Sequence, residues 1–415
     1  MLTAGLTLAA CSSQEPEETV PFVPGLPVVA VTTVGGEAPT CDFVEAPEGC
    51  MGRSITNATK VGGRMTITQM GKKLYDSGDY QEGMSGMTIK IRGNSSAWKN
   101  KRAYKIKLQQ EADLLGRGDD KTYADKEWLL INDERGQLNT MVGMKVNELL
   151  GLQWTPRFRF VNLTLNDDPQ GLYLLIESVK RKASRLNVSK SGYIIEFDPY
   201  WWNEDVWFET LMTQSKDAKF TFKYPDTKDL LPERIDSIRN FVNAFDDGLV
   251  NKNHFSEYID TLSFAAWMLA QDILGNYDAH GSNIYMTKYD DTKDTKLAMG
   301  CLWDFDAIMM TPDEWSKSRH LPYFARLISN GTDRSVANAY QHLWQEKKDT
   351  LFATIKNYVE TFVASEEGTF FDWAITDDNK RWGRDFPNLR QLADETEAWF
   401  DKRKSWLETA IEDNK

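Results

Sequence analysis

Polar and apolar residues alternate through much of the first half of the chain. The runs "MTIKIR" (87–92), "AYKIKL" (103–108), "EWLLIN" (127–132), "FVNLTLN" (160–166) and "LYLLIE" (172–177) carry β-branched and apolar side chains at a period of two. This pattern predicts strands that bury one face. Between the last two runs, "DDPQG" predicts a hairpin turn. One stretch breaks the alternation. "LNTMVGMKVNELLG" spaces Met141, Met144, Val146, Leu149 and Leu150 along one helical face and stops at Gly151. Further strands are expected in "YIIEFD" and "FTFKYPD", and from about Leu231 the period turns helical. "LPERIDSIRNFVNAF", "IDTLSFAAWMLAQDILG", "DTLFATIKNYVETFVA" and "LADETEAWFDKRKSWLETAIE" all read as amphipathic helices. The chain is therefore of the α+β class, with a β-rich half containing one main helix ahead of a mostly helical half.

Composition and charge narrow the picture. A chain of 415 residues with 14 Trp has enough length and apolar surface for a substantial core. A formal net charge of -13 argues against binding nucleic acid or anionic lipid through a general basic face. One basic patch stands out locally, "KNKRAYKIK" (99–107). At the start, "LTAGLTLAAC" has the small apolar run and cysteine of a bacterial lipoprotein signal. Residues 1–10 are read as the signal peptide, Cys11 as the lipidated anchor and 11–26 as a Pro- and Glu-rich tether. The protein is thus expected to be exported, a membrane-anchored lipoprotein in the periplasm or at the cell surface, touching the membrane only through Cys11. In that oxidising setting Cys41 and Cys50, bracketing a short loop, are expected to pair, and Cys301 to be a buried, inert thiol.

The chemistry concentrates in two short stretches, "YDAHGSN" (277–283) and "WDFD" (303–306). Phosphoryl transfer needs an Asp that accepts the proton of the attacking hydroxyl, an Asn that holds a metal ion, and a second acid that holds the metal against the phosphates. Asp278 and Asn283 are spaced as D-x-x-x-x-N, and Asp304 heads a D-F-D resembling the metal-binding D-F-G. Asp306 would assist as a supporting or second-metal ligand. Upstream, the backbone of the turn after Arg92, with Asn94, Ser95 and Ser96, is suited to cradle phosphate. Lys105 and Lys107 share one face of their strand, so period alone leaves open which of them reaches the phosphates. Glu148 on the following helix is the candidate acid to position that lysine, and Glu177 marks the crossover after the last strand of the β-rich part. No G-x-G-x-x-G turn precedes the basic strand.

The blocks "IRGNSSAWKNKRAYKIKL", "EWLLINDERGQLNTMVGMKVNELLGL", "VNLTLNDDPQGLYLLIE", "FTFKYPD", "DAHGSN" and "LWDFD" occur in an order that resembles the spore coat protein H (CotH) kinases. These are atypical secreted or surface protein kinases. The resemblance implies a two-lobed, protein-kinase-like fold, with a β-rich N-lobe over 27–177 and a mostly helical C-lobe with a β insertion over 178–415. It implies ATP and Mg²⁺ or Mn²⁺ as cofactors and an exported protein as the phosphate acceptor. Asp278 becomes the catalytic-loop aspartate, Asn283 and Asp304 metal ligands, and Lys105 or Lys107 a nucleotide phosphate contact. The alternative from another class is a catalytically weak or inactive kinase-like surface module, in which the aromatic "DPYWWNEDVWF" (198–208) binds a glycan or partner. A glycosyltransferase built on Asp304 and Asp306 ranks last, because the upstream hairpins are antiparallel where a nucleotide-sugar domain needs parallel βαβ units. The sequence leaves the protein substrate and the oligomeric state open.

Overall fold

The computed structural model describes residues 23–118, 120–132, 138–214, 217–329 and 331–413. The segments read from the sequence as a signal peptide, a lipid anchor at Cys11 and most of a tether lie outside the described residues.

The alternating runs form the strands they predict. In chain order these are β1 (Val28–Thr33), β2 (Asp42–Glu45), β3 (Arg53–Thr56), β4 (Val61–Gln69), β5 (Lys72–Asp76), β6 (Met87–Arg92) and β7 (Ala103–Ala112). After a short helix α1 (Asp120–Tyr123) come β8 (Asp125–Ile131), helix α2 (Asn139–Leu149), β9 (Phe158–Leu165) and β10 (Asp168–Glu177). The main sheet runs β1-β9-β10-β8-β7-β6-β4-β5, and an extra pairing of β1 with β4 closes seven of these strands into a barrel. Closure depends on β1, which pairs parallel with β9 on one side and antiparallel with β4 on the other. The alternate residues Ile89, Ile91, Ile106, Trp128, Leu130 and Val161 fill the interior. Those between them face outward and put Lys90, Arg92, Lys105 and Glu127 on the outer surface of β6, β7 and β8. The β9–β10 turn falls at Asn166 and Asp167, whose φ angles of 51° and 62° suit a two-residue hairpin. Pro169 to Gly171 are not in the turn but form a bulge inside β10.

A second, five-stranded sheet has the order β12-β13-β11-β14-β15. It comprises β11 (Tyr193–Asp198), β12 (Trp207–Phe208), β13 (Lys219–Tyr224), β14 (Ile284–Lys288) and β15 (Leu297–Met299). The helices are α3 (Pro232–Val250), α4 (Thr261–Leu274), α5 (Pro322–Leu327), α6 (Ser335–Val363), α7 (Glu366–Trp382) and α8 (Leu389–Asp413). Helix α4 is buried on almost every side, as its run of apolar residues requires. None of the described helices is long and apolar enough to cross a membrane.

One buried ion pair joins the barrel to the helical half. The Lys101 ammonium, fully buried, donates to Asp378 Oδ1 on α7 at 2.6 Å and to the Leu172 carbonyl on β10 at 2.5 Å. Asp378 Oδ1 also accepts the Leu172 N–H at 3.0 Å. Gly171 makes the approach feasible: a Cβ there would sit 2.3 Å from Asp378 Oδ1, and its φ is +83°.

The cysteines correct one expectation. Cys41, Cys50 and Cys301 are all unpaired. Arg102 Nη1 lies 3.5 Å from Cys41 Sγ, and the Cys50 N–H closes a tight turn onto the Pro47 carbonyl at 2.9 Å. Cys301 is fully buried, and burial pushes its thiol far up, which makes it inert as expected.

Candidate active site

The loop carrying Asp278 and Asn283 starts where α4 stops. Asp260 caps the start of α4 by accepting the Leu262 and Ser263 N–H groups, and Gly275 ends it at φ 54°. Asn276 then shapes the turn. Its Oδ1 accepts the Asp278 N–H at 3.0 Å while its Nδ2 donates to Gln271 Oε1 at 2.9 Å. The base of α4 is anchored through the fully buried Asp272, which accepts from Ser316 Oγ (2.8 Å), Arg319 Nε (2.9 Å) and Tyr340 OH (2.9 Å). Tyr277 N–H donates to the Ala307 carbonyl at 3.0 Å, and Met309 N–H to the Leu274 carbonyl at 2.9 Å. These bonds hold the 276–283 loop alongside the 303–309 segment. Asn283 and Asp304 both adopt left-handed backbone, with φ of 59° and 63°. Such strain in non-glycine residues persists where the surroundings over-determine it, and it clusters at functional sites.

Helix α2 fixes the "WDFD" segment through two buried amides. Asn139 Nδ2 donates to the Phe305 carbonyl at 3.0 Å, and Asn147 Oδ1 accepts the Leu302 N–H at 2.8 Å. Between them Phe305 packs on Gly143, where a Cβ would come within 2.1 Å of the ring. Gly143→Ala is accordingly expected to displace Phe305, lower stability by about 1–3 kcal/mol and reduce any activity that depends on Asp304. Urea denaturation checks this, and an unchanged midpoint would mean that the ring moves aside freely.

A cleft lies between the barrel, α2 and the "WDFD" segment. Arg92, Ser96 and Lys99 line it from the β6–β7 connection, Ile131 and Ile176 from the barrel, and Met144 from α2. Trp303 to Asp306 form the opposite wall. Of the residues singled out from the sequence, the structure thus brings together Arg92, Ser96, Asp304 and Asp306. Asn283 Nδ2 reaches Asp304 Oδ2 at 3.5 Å. Asp278 is close enough for its charge to act on Asp304. Asn94 is engaged differently, its Oδ1 accepting the Ser54 hydroxyl at 2.7 Å, and the Ser95 side chain is outside the described residues.

Four other candidates lie off the cleft wall. Lys105 pairs with Glu127 at 3.0 Å, one strand away, and Lys107 is exposed further along β7. The acid beside Lys105 is therefore Glu127 and not Glu148, which pairs with Lys145 (3.3 Å) and Arg157 (3.7 Å). Glu177 is fully buried and accepts from Arg117 Nη1 and the Arg157 N–H, each at 2.9 Å.

The electrostatics of the site are those of crowded carboxylates. The Asp304 side chain opens to solvent in the cleft, yet the protein packed around it desolvates the carboxyl and pushes it up to about 8. The negative charges of Asp306 and Asp278 and a hydrogen bond with Asp306 act in the same direction, while Arg92 opposes them. The pattern alone did not mark two further acids on β11, Glu196 and Asp198. Glu196 Oε1 accepts the Asn283 N–H at 3.0 Å while its Oε2 pairs with Lys223 at 2.8 Å. Asp198 is pushed up to about 7, first by burial and then by Glu196. The strand "YIIEFD" puts both acids on one face, which was the available signal.

This chain belongs to the CotH kinase protein family, whose model matches residues 89–407. No curated protein matches it. Among solved structures it is similar to the Helicobacter pylori proinflammatory kinase CtkA, at 11% identity over 74% of this chain and 95% of that one, with a TM-score of 0.33. It is also similar to HipA of Shewanella oneidensis MR-1, from a toxin-antitoxin complex with HipB and operator DNA. That match has 11% identity over 75% of this chain and 66% of that one, with a TM-score of 0.30. Neither likeness is close enough to assign a role to any residue here.

Proposed function

We propose that this protein is a two-lobed, protein-kinase-like phosphotransferase that moves the γ-phosphate of ATP to a Ser or Thr hydroxyl of an exported protein. Residues 27–177 would form its β-rich lobe and 178–415 its helical lobe, with the whole tethered to the membrane through Cys11. The observation that carries this reading is the convergence of Asp278, Asn283 and Asp304, from two separate loops, beside a cleft that also holds Asp306 and Arg92. Family membership agrees with it.

In this reading Asp278 accepts the proton of the attacking hydroxyl, its position set by Asn276. Arg92 and Lys99 face the phosphates from the β6–β7 connection, the place that the sequence assigned to Lys105 or Lys107. Asn283, Asp304 and Asp306 would hold Mg²⁺ or Mn²⁺, which neutralises phosphate charge when bound. The donor set fits. Mg²⁺ takes one or two carboxylates and leaves the rest of its shell to phosphate oxygens and water. Crowding at Asp304 also favours a cation there.

Thermal unfolding of the full chain tests the binding half of the proposal. ATP together with Mg²⁺ or Mn²⁺ is expected to raise the midpoint more than either component alone, and Asp304→Asn to lose that increment. A midpoint indifferent to every combination would contradict it.

A further inference from the structure

A cavity of about 570 Å³, within the range of small-molecule pockets, lies where the β4–β5 hairpin, the connection after β7 and the start of β9 meet. None of its lining residues lines the cleft beside "WDFD". Its surface is more apolar than polar, formed by Ile67, Met70, Leu74, Leu114 and Leu115, and it also holds the cations Lys72 and Arg159. We propose that this cavity binds a small amphipathic carboxylate, with its head on Arg159 and its aliphatic body against the apolar wall. The proposal does not depend on the kinase reading and gives the protein a second ligand site.

Charge is the first argument. Arg159 is half-buried, and its Nη2 donates at 2.6 Å to Gln69 Oε1, a neutral acceptor that orients the guanidinium without compensating its charge. Gln69 is itself held, its Nε2 donating to the Gly25 carbonyl at 3.2 Å. Among the described residues no carboxylate lies within ion-pair distance of Arg159 or of Lys72. Glu367 acts on Arg159 from further away, and burial pushes its own carboxyl up. Asp113, the acid of the lining, is already engaged: Arg117 donates to its Oδ1 from Nη2 at 2.8 Å and to its Oδ2 from the backbone at 2.7 Å. The cavity thus presents uncompensated positive charge in a chain whose net charge is -13. Burial disfavours the charged guanidinium of Arg159, and a bound carboxylate would relieve that cost.

The wall is the second argument. Ile67 and Leu114 belong to the barrel core and tie the wall to a rigid interior. Leu74 is 47% exposed on β5, and Met70 and Leu115 are half-buried, so apolar surface stands open to water beside the cations. A carboxylate with an aliphatic body covers this surface and meets the charge together. A compact polyanion would leave the apolar wall uncovered, and one half-buried guanidinium with one exposed ammonium is a poor match for several negative charges. Burial, and after it the charge of Asp76, push the Tyr75 hydroxyl up to about 12, so it stays protonated as a further donor in the cavity.

Titration calorimetry of the full chain with octanoate and with 1-octanol tests this. Octanoate is expected to bind saturably at one site, about tenfold or more tighter than the alcohol, since the two share an aliphatic tail and differ in the charged head. Arg159→Met keeps an aliphatic stem and should bring that ratio towards one, while Arg159→Lys should keep part of it. Leu74→Glu changes an exposed position, where folding is not at stake, and should weaken octanoate about tenfold by adding a like charge and removing apolar contact. Equal affinity for acid and alcohol would overturn the site. So would an octanoate affinity that neither Arg159→Met nor Leu74→Glu changes, and so would no binding by the unaltered chain.

Discussion

Asp304→Asn is expected to reduce phosphoryl transfer as severely as Asp278→Asn, at least about a hundredfold, whereas Asp306→Asn should retain a measurable rate. The two aspartates of "WDFD" differ in placement. Asp304 sits at φ 63°, within 3.5 Å of Asn283, and feels both Asp306 and Asp278. Asn tolerates left-handed backbone, so the substitution removes the carboxylate and spares the turn. Without metal, removing one of several mutually repelling carboxylates should not lower the unfolding midpoint. Kinetic assays of the three variants at saturating metal check the order. A dead Asp306→Asn beside a nearly normal Asp304→Asn would reverse the assignment.

Asp378→Ala is expected to destabilise the protein by about 3–5 kcal/mol, the usual consequence of removing one partner of a buried ion pair. Lys101 and Asp378 are 0% and 1% exposed, so the substitution leaves an ammonium in the interior with its carboxylate gone. The Leu172 N–H would lose its acceptor as well. The double variant Lys101→Met, Asp378→Leu should recover much of the loss, because neither side chain then carries a buried charge. Urea denaturation of the three proteins checks this. A loss below about 1 kcal/mol for Asp378→Ala would mean that water reaches the pair.

Which parts of this molecule could be read from its sequence follows from how local each determinant is. β6, β11 and α2 appear nearly at their predicted bounds, because a period of two or of 3.6 is imposed by burial of one face within a few residues, while β7 runs on from 108 to Ala112. Barrel closure was hidden, since β1 pairs with β9 across more than a hundred residues of chain and nothing local to either strand encodes it. β14 is buried at every position and shows no alternation, so "IYMTK" did not stand out as a strand. Helix α7 was also missed: its buried Phe370, Phe371, Ala374 and Ile375 are diluted by acids and by Lys380 and Arg381.

The site divides in the same way. Asp278, Asn283 and Asp304 stand out in the sequence through short local patterns, D-x-x-x-x-N and D-F-D, and the fold places the two loops side by side. The partner of Lys105 depends on the register of β7 against β8, which favours Glu127 over the helical Glu148. Glu196 supports Asn283 from a strand 87 residues away, and Lys101 meets Asp378 across 277 residues. Such pairs are products of the tertiary fold and have no local signature.

The central claim is that one cleft binds metal and nucleotide while Asp278 directs an acceptor hydroxyl at the terminal phosphate. The full chain incubated with Mg²⁺ or Mn²⁺ and ATP labelled at either the γ or the α phosphate tests it most directly. Label is expected to enter protein from γ-labelled ATP alone, to require the metal, and to disappear in Asp278→Asn. Metal-dependent binding of ATP with no γ label transferred would contradict the claim and identify the protein as a kinase-like binding module.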